Sequence, residues 1–168
     1  MLPQKAVRTT VARANYALHV DARLVARYLR RHAENHGAVR TEGMIAAVNL
    51  NPEDGHIRSL TLRGGEEITG DLFVDCTGFR ALLIGGALGV GYTSWADELF
   101  CDRAIAVQTE NVDDPHPYTV AEAQDFGWRW RIPLQHRAGN GYVYSSQYIS
   151  DEDATKTLLS KVVGKVLV

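Results

Sequence analysis

The sequence predicts an α/β protein with two sheets: an antiparallel β-meander, and a second sheet that carries a tryptophan-rich strand. Three observations predict it. Three short strand-like runs follow one another between residues 44 and 69, separated by turn clusters. "LFVDC" (72–76) is a short apolar run bounded by turn residues, as expected for a buried strand of a parallel sheet. "GWRWRIPL" (127–134) and "GYVYSSQYI" (141–149) alternate and read as a hairpin closed by "QHRAGN".

The elements follow in order. Asp21 can cap a helix that runs to about Asn35, with Gly37 as the left-handed residue that ends it. Leu24, Val25, Tyr28 and Leu29 form a core-facing stripe, and Arg23, Arg27, Arg30 and Arg31 fall mostly on the other side. "MIAAVNL" (44–50), "HIRSLTLR" (56–63) and "EEIT" (66–69) are the meander strands, joined by the turns "NPEDG" and "GG". "RALLIGGAL" (80–88) is a short helix weakened by Gly85 and Gly86. From Gly91 to about Gln124 the pattern is irregular, apart from a strand in "CDRAIAVQT" (101–109) and a loop in "NVDDPHPYT" (111–119). "SDEDATKTLLSKV" (150–162) opens with a Ser-x-x-Asp capping signature and continues as a helix.

Composition excludes several classes. A chain of 168 residues is long enough for one domain with a core. A net charge of −2, with no basic run beyond "LRRH", argues against nucleic-acid binding. No apolar stretch reaches the roughly 18–20 residues that span a bilayer. The N-terminal "MLPQKAVRTTVARANYA" has no apolar core of a signal peptide; its Arg and Thr content without acids hints weakly at a transit peptide. The two cysteines, Cys76 and Cys101, form no disulfide framework, so a reducing, cytoplasmic setting is the default.

The chemistry-bearing stretches each allow a functional and a plain reading. In "LFVDCTGF" an apolar strand ends in Asp-Cys-Thr-Gly, and ligands of open α/β sheets sit at the carboxyl ends of strands. Thr77 and Gly78 are small enough for close approach to a nucleotide, and Asp75 needs donors if buried. Spacing alone favours the plain reading, a tight turn with Asp75 capping the next segment. Cys76 reads as a packed small thiol and not a nucleophile. His32 and His36 stand four apart, but Ala33 occupies the place of the metalloprotease glutamate, so no metal is expected. The four lysines, Lys5, Lys156, Lys161 and Lys165, lie near the chain ends, and there is no Gly-rich phosphate loop. In "WRWRIP" (128–133), Trp128, Trp130 and Ile132 share one face of a strand and Arg129 and Arg131 the other; Pro133 ends the ladder or lies at an edge. The apolar side is either plain core, which the pattern alone favours, or a stiff aromatic wall of a ligand cavity.

Four segments together resemble the flavin-dependent tryptophan halogenases. "WRWRIP" fits the family's W-x-W-x-I-P motif at Trp128, Trp130, Ile132 and Pro133. "GDLFVDCTGFRALLI" (70–84) resembles the end of a flavin-contacting strand, "GNGYVYSSQYISDEDA" (139–154) the stretch after the motif, and "YALHVDARLVARYL" (16–29) the helix before the meander. Order and spacing agree over about residues 15–160. The charged residues at both x positions of the motif are unusual.

The resemblance implies a partial FAD-dependent monooxygenase-like (PHBH-type) fold, with residues 1–168 as a single partial domain. It implies FAD-dependent halogenation of an aromatic substrate such as tryptophan or indole. Reduced FAD, supplied by a flavin reductase, reacts with oxygen to a flavin hydroperoxide, and a halide ion, chloride or bromide, is oxidised to hypohalous acid. Thr77 and Gly78 are expected near the flavin with Asp75 as their support, and Ile45 near the adenine. Trp128, Trp130, Ile132 and Pro133 are expected as the wall that keeps organic substrate from the flavin. No catalytic residue is expected within the chain, because the family's lysine and glutamate match none of its residues. Its dinucleotide loop and C-terminal substrate region are likewise expected outside residues 1–168. The expectation is a central fragment, inactive alone and binding FAD weakly or not at all. The alternatives are a flavin monooxygenase of the same fold and a non-catalytic remnant.

Overall fold

A computed structural model describes residues 17–167. The N-terminal transit-peptide reading, and Tyr16 of the matching helical segment, lie outside the described residues. The chain divides into two compact units, one of residues 32–95 and one of the flanking residues up to 31 and from 96 onward.

Helix α1 (Ala22–Asn35) forms where expected. Asp21 Oδ1 accepts from the amides of Arg23 and Leu24 at 2.9 and 3.3 Å, which satisfies two donors of the first turn. At the other end the Ala38 amide reaches the Ala33 carbonyl and the Gly37 amide that of Glu34. With Gly37 at φ +95°, this is the paired C-terminal closure that glycine permits. The expected burial of the apolar stripe does not hold: Leu24 and Leu29 are each 54% exposed, and no residue of α1 is buried. A 3.6-residue stripe specifies which face can be covered, and nothing among the described residues covers it.

In the unit of residues 32–95, β1 (Ile45–Leu50), β2 (Ile57–Leu62) and β3 (Glu67–Thr69) form the expected meander in the order β1-β2-β3, all antiparallel. The first turn is built as its sequence dictates. Asn51 Oδ1 accepts from Glu53 N, Asp54 Oδ1 from His56 N, and Gly55 takes φ +76°. A polar ladder crosses the sheet: Asn49 Nδ2 donates to Ser59 Oγ and Thr61 Oγ1 at 3.0 and 2.8 Å, and Ser59 Oγ donates to Glu67. Ser59 is fully buried, so the ladder supplies partners its hydroxyl would otherwise lack.

"LFVDC" is not a strand of a parallel sheet, which corrects the sequence expectation. Residues 72–77 take no regular secondary structure and pair with no strand among the described residues. Phe73, Asp75 and Thr77 are half-buried, while Leu72 and Val74 are 83% and 77% exposed. The composition of a buried strand is present; the neighbouring strands that would bury both faces are not among the described residues. Cys76 and Cys101 are both free and exposed, so Cys76 is not the packed thiol expected.

In the unit containing residues 96–167, a five-stranded antiparallel sheet carries a second helix. Its strands are β4 (Arg103–Thr109), β5 (Val120–Gln124), β6 (Gly127–Pro133), β7 (Ala138–Tyr144) and β8 (Val166–Leu167), in the order β5-β6-β7-β4-β8. The β6–β7 hairpin forms, but "AGN" belongs to β7, and residues 145–149 are turns and not strand. Helix α2 (Asp151–Lys161) is capped by Ser150, whose Oγ accepts from Asp153 N at 3.1 Å. Ala154 and Leu158 pack on Tyr142 and Tyr144, with Ile105, Val107, Ile149 and Val162 around them. Tyr144 Oη and Arg103 both reach Asp151, at 2.8 and 2.7 Å, and fix the helix start over the sheet. Ser150→Ala is expected to lower stability by about 1 kcal/mol, read from thermal unfolding, because one first-turn amide loses its acceptor.

Candidate functional site

Two places carry the residues that the sequence singled out, one in each unit. The first is the turn after the unpaired apolar segment. Asp75 Oδ1 accepts from the Thr77 hydroxyl at 2.7 Å and from Thr77 N at 3.0 Å. Its Oδ2 accepts from the amides of Leu83 and Ile84, both at 3.0 Å, and Thr77 Oγ1 accepts from Leu82 N at 2.8 Å. One carboxylate and one hydroxyl thus tie together the turn and the start of the next segment. That segment is a 3₁₀ turn (Gly78–Arg80) followed by a π-helical turn (Leu82–Ala87). The Ala81 carbonyl accepts from both Gly85 N and Gly86 N, the latter bond closing the wider π turn. Ala81 itself sits at φ +42°, a conformation alanine adopts only under constraint.

The four donors hold the Asp75 carboxyl down to about 2, from an ordinary 3.8. The Thr77 hydroxyl is the largest cause, with the amides of Ile84, Thr77 and Leu83 adding to it against partial desolvation. A depressed folded-state value means that the stabilisation is complete above about pH 4 and is lost as pH falls through about 2. Hydrogen exchange at Leu83 and Ile84, corrected for intrinsic rates, is therefore expected to show constant protection above pH 4 and a loss toward pH 2. Asp75→Asn is expected to remove the step. Protection that stays level down to pH 2 in the unaltered chain contradicts the capping role.

This turn leaves two features toward the outside. Gly78 is at φ +69°, and the space its absent Cβ would take is open. An open hollow of about 300 Å³ lies between β1 and the π-helical turn, lined by Ile45, Ala46, Ala47, Leu82, Gly86 and Ala87. Small side chains and a bare glycine backbone suit a flat ring lying against the chain. Asp75 and Thr77 spend their polar atoms on the turn itself, so they position the backbone and do not offer free donors.

The second place is the β6 strand. Its register puts Trp128 opposite Ala123 and Val143, and Trp130 opposite Ala121 and Gly141. Ala104 and Ala106 continue the same rows on β4. The two indoles, 5.9 Å apart and tilted by 51°, therefore have mostly alanine and glycine beside them, with Val143 next to Trp128. A Cβ at residue 141 would overlap three atoms of the Trp130 ring, so the glycine makes room for the indole. The hydrophobic core under α2 is built on the other face, that of Arg129, Tyr142 and Ile105. The plain-core reading of the tryptophan side thus fails among the described residues: Trp128 remains 44% exposed and Trp130 half-buried.

The arginines belong to the helix-covered face. Arg129 donates Nε and Nη2 to Glu122 Oε2, each at 2.7 Å, and Nη1 to the carbonyl of Lys161 at 2.9 Å. The last contact satisfies a carbonyl at the end of α2, where a cation also suits the helix dipole. The end of β6 is tied down as well. The His19 Nδ1–H donates to the Pro133 carbonyl at 3.0 Å, and Asp21 Oδ2 meets Arg137 at 3.3 Å and His136 at 3.2 Å in the β6–β7 turn.

Residues 1–168 match the family model described as tryptophan halogenase. The chain belongs to the tryptophan halogenase family. Among curated relatives of this family, the tryptophan 7-halogenase RebH of Lentzea aerocolonigenes is 41% identical over 146 residues, 84% of this chain and 27% of RebH. Among solved structures, BrvH, a flavin-dependent halogenase from Brevundimonas sp. BAL3, superposes with a TM-score of 0.87 at 51% identity. That match covers 90% of this chain and 31% of BrvH. Xcc4156, a flavin-dependent halogenase from Xanthomonas campestris, gives 0.86 at 47% identity over 94% of this chain and 34% of its own. The chain thus spans about a quarter to a third of the length of these relatives.

Within the chain, Asp75, Thr77 and Gly78 form one turn, with Ile45 at the hollow beside the segment that the turn caps. Trp128, Trp130 and Ile132 share one strand face and Pro133 closes the strand. Sequence reasoning missed β5, the glycine beside Trp130 and the use of Arg129 to close α2. The signal for β5 was the alternation in "VAEAQ", masked by the low strand preference of alanine and glutamate. The His36 Nδ1–H donates to the His32 carbonyl at 2.7 Å. No helix among the described residues is long and apolar enough to cross a membrane.

Proposed function

We propose that this chain is the central part of an enzyme that halogenates an aromatic compound such as tryptophan or indole, using reduced FAD and a halide. The family match over the whole chain carries the reading. We assign the Asp75–Gly78 turn and Ile45 to the cofactor. The open backbone at Gly78 and the apolar hollow fit a flat heteroaromatic ring. Bound in its reduced form, FAD would supply two of the electrons that reduce oxygen, and the halide would supply the other two as it is oxidised. A flavin reductase would supply that form. The overall architecture would be of the FAD-dependent monooxygenase type.

The chain's own contribution is positioning and exclusion. Asp75 fixes the turn so that Gly78 presents bare backbone. Trp128, Trp130 and Ile132, set on small residues and braced by the β6–β7 turn, form a stiff face that stays in place when a molecule presses on it. Such a face admits a small anion and turns away a bulky organic molecule. Pro133 ends the strand and so fixes where the face stops.

Replacing the matching segment of BrvH by residues 17–160 of this chain tests the reading. The chimera is expected to bind FAD and to give a halide-dependent product with a flavin reductase, tryptophan or indole, and chloride or bromide. The isolated 168-residue chain is expected to give none. A folded, flavin-loaded chimera whose product is oxygenated and independent of halide points to a monooxygenase. One that gives no product at all points to a non-catalytic remnant. Turnover by the isolated chain contradicts its assignment as a part.

A further inference from the structure

We propose that Arg131 anchors a binding site for a small carboxylate on the helix-covered face of the second sheet. This site is distinct from the tryptophan face and does not depend on the function proposed above. A cavity of about 170 Å³ opens there, with Val120 and Val163 as its apolar lining and Arg129, Arg131 and Lys161 as its cations. Glu122 is the one acid in the lining, and Arg129 already holds it with two nitrogens. Among the described residues, Lys161 Nζ meets only the neutral Gln124 side chain. The Arg131 guanidinium has no hydrogen bond or ion pair among the described residues, and its Nε is buried without an acceptor.

A buried donor on a charged group without a partner is costly, and such groups in folded proteins are met by an ion, water or ligand. The charges decide the sign. Arg131 and Lys161 leave two positive charges uncompensated, against about half a negative charge from the carboxyl end of α2. The site therefore attracts an anion. A guanidinium presents paired donors in one plane, which matches a carboxylate better than a spherical halide. The apolar lining suits a short hydrocarbon body attached to it.

Sodium propionate is the probe, titrated into the 168-residue chain at constant ionic strength, with the arginine Nε–H and backbone amide signals followed by NMR. The Arg131 Nε–H and the Val120 and Val163 amides are expected to shift together and to saturate. Arg131→Met is expected to weaken the response by about tenfold or more, the loss of a charge-assisted hydrogen-bonded pair. Arg131→Lys, which keeps the charge, is expected to weaken it less and guards against misfolding of the first variant. Glu122→Gln is expected to tighten binding a few-fold by removing the only acid, an effect that loss of structure would not produce. A linear shift, an undiminished response in Arg131→Met, or weaker binding in Glu122→Gln overturns the site. Chloride acting at the same signals as tightly as propionate overturns the carboxylate assignment.

Discussion

Gly141→Ala lowers the stability of the second sheet by about 1–3 kcal/mol and moves the Trp130 indole off the strand, the usual effect of overpacking. The cost comes from space and not from backbone freedom. Gly141 does not have a positive φ, and in a strand alanine would normally gain about 0.5–1 kcal/mol over glycine. The overlap with three ring atoms of Trp130 outweighs that gain, because the neighbour that must give way is a rigid ring on the directly paired residue. Gly139 supplies the control on the same face of the same strand. A Cβ there meets Arg137 Nη1 at 3.7 Å and the Ile132 carbonyl at 3.8 Å, ordinary contact distances, so Gly139→Ala is expected to be neutral or slightly stabilising. Urea unfolding gives the energies, and near-ultraviolet circular dichroism reads the indole environment. Equal stability and equal spectra for both variants contradict the role of Gly141 in making room for the indole.

The same position shows how far the sequence could be read. Alternation placed Trp128, Trp130 and Ile132 on one face, and the register bears that out. The glycine partner was hidden by the turn: with "QHRAGN" taken as loop, the cross-strand pairs shift, and Gly139 and Gly141 fall out of register with the tryptophans. The short turn closes because Leu134 N donates to the Arg137 carbonyl, a bond that no turn signature in "LQHR" announces. Caps were legible because they are local. Asp21, Gly37 and Ser150 act within four residues of their own position, as spacing implied. Asp75 was legible in part: capping was the plain reading of the turn, but the reach to Leu83 and Ile84 depends on the π-helical turn. Burial was the least legible quantity. The α1 stripe and "LFVDC" have the apolarity of covered elements, yet both are largely exposed, because pattern states which surface wants a partner and not which residues supply it.

The opposite sides of β6 divide the labour. The arginine face holds the helix and the core, with Arg129 serving both Glu122 and the end of α2. The tryptophan face is partly open among the described residues and is anchored at its end by His19 and the Asp21 pairs. Trp128→Ala and Trp130→Ala therefore alter what can approach that face while leaving the core residues Tyr142, Tyr144 and Leu158 in place. The loss of either indole is expected to have its largest effect on product and not on stability. In the chimera with BrvH, each variant should still consume reduced flavin. Halogenated product per flavin oxidised should fall on the order of tenfold or more, the scale set by misplacing groups around a reacting centre.

That ratio is the most direct measurement of the central claim, that the paired indoles are a partition and not filling. Reduced FAD, oxygen, bromide and indole are supplied to the unaltered chimera and to the two variants, and product is counted against flavin reoxidised. The partition predicts a steep drop in both variants at unchanged flavin binding; a ratio that stays level in both contradicts it.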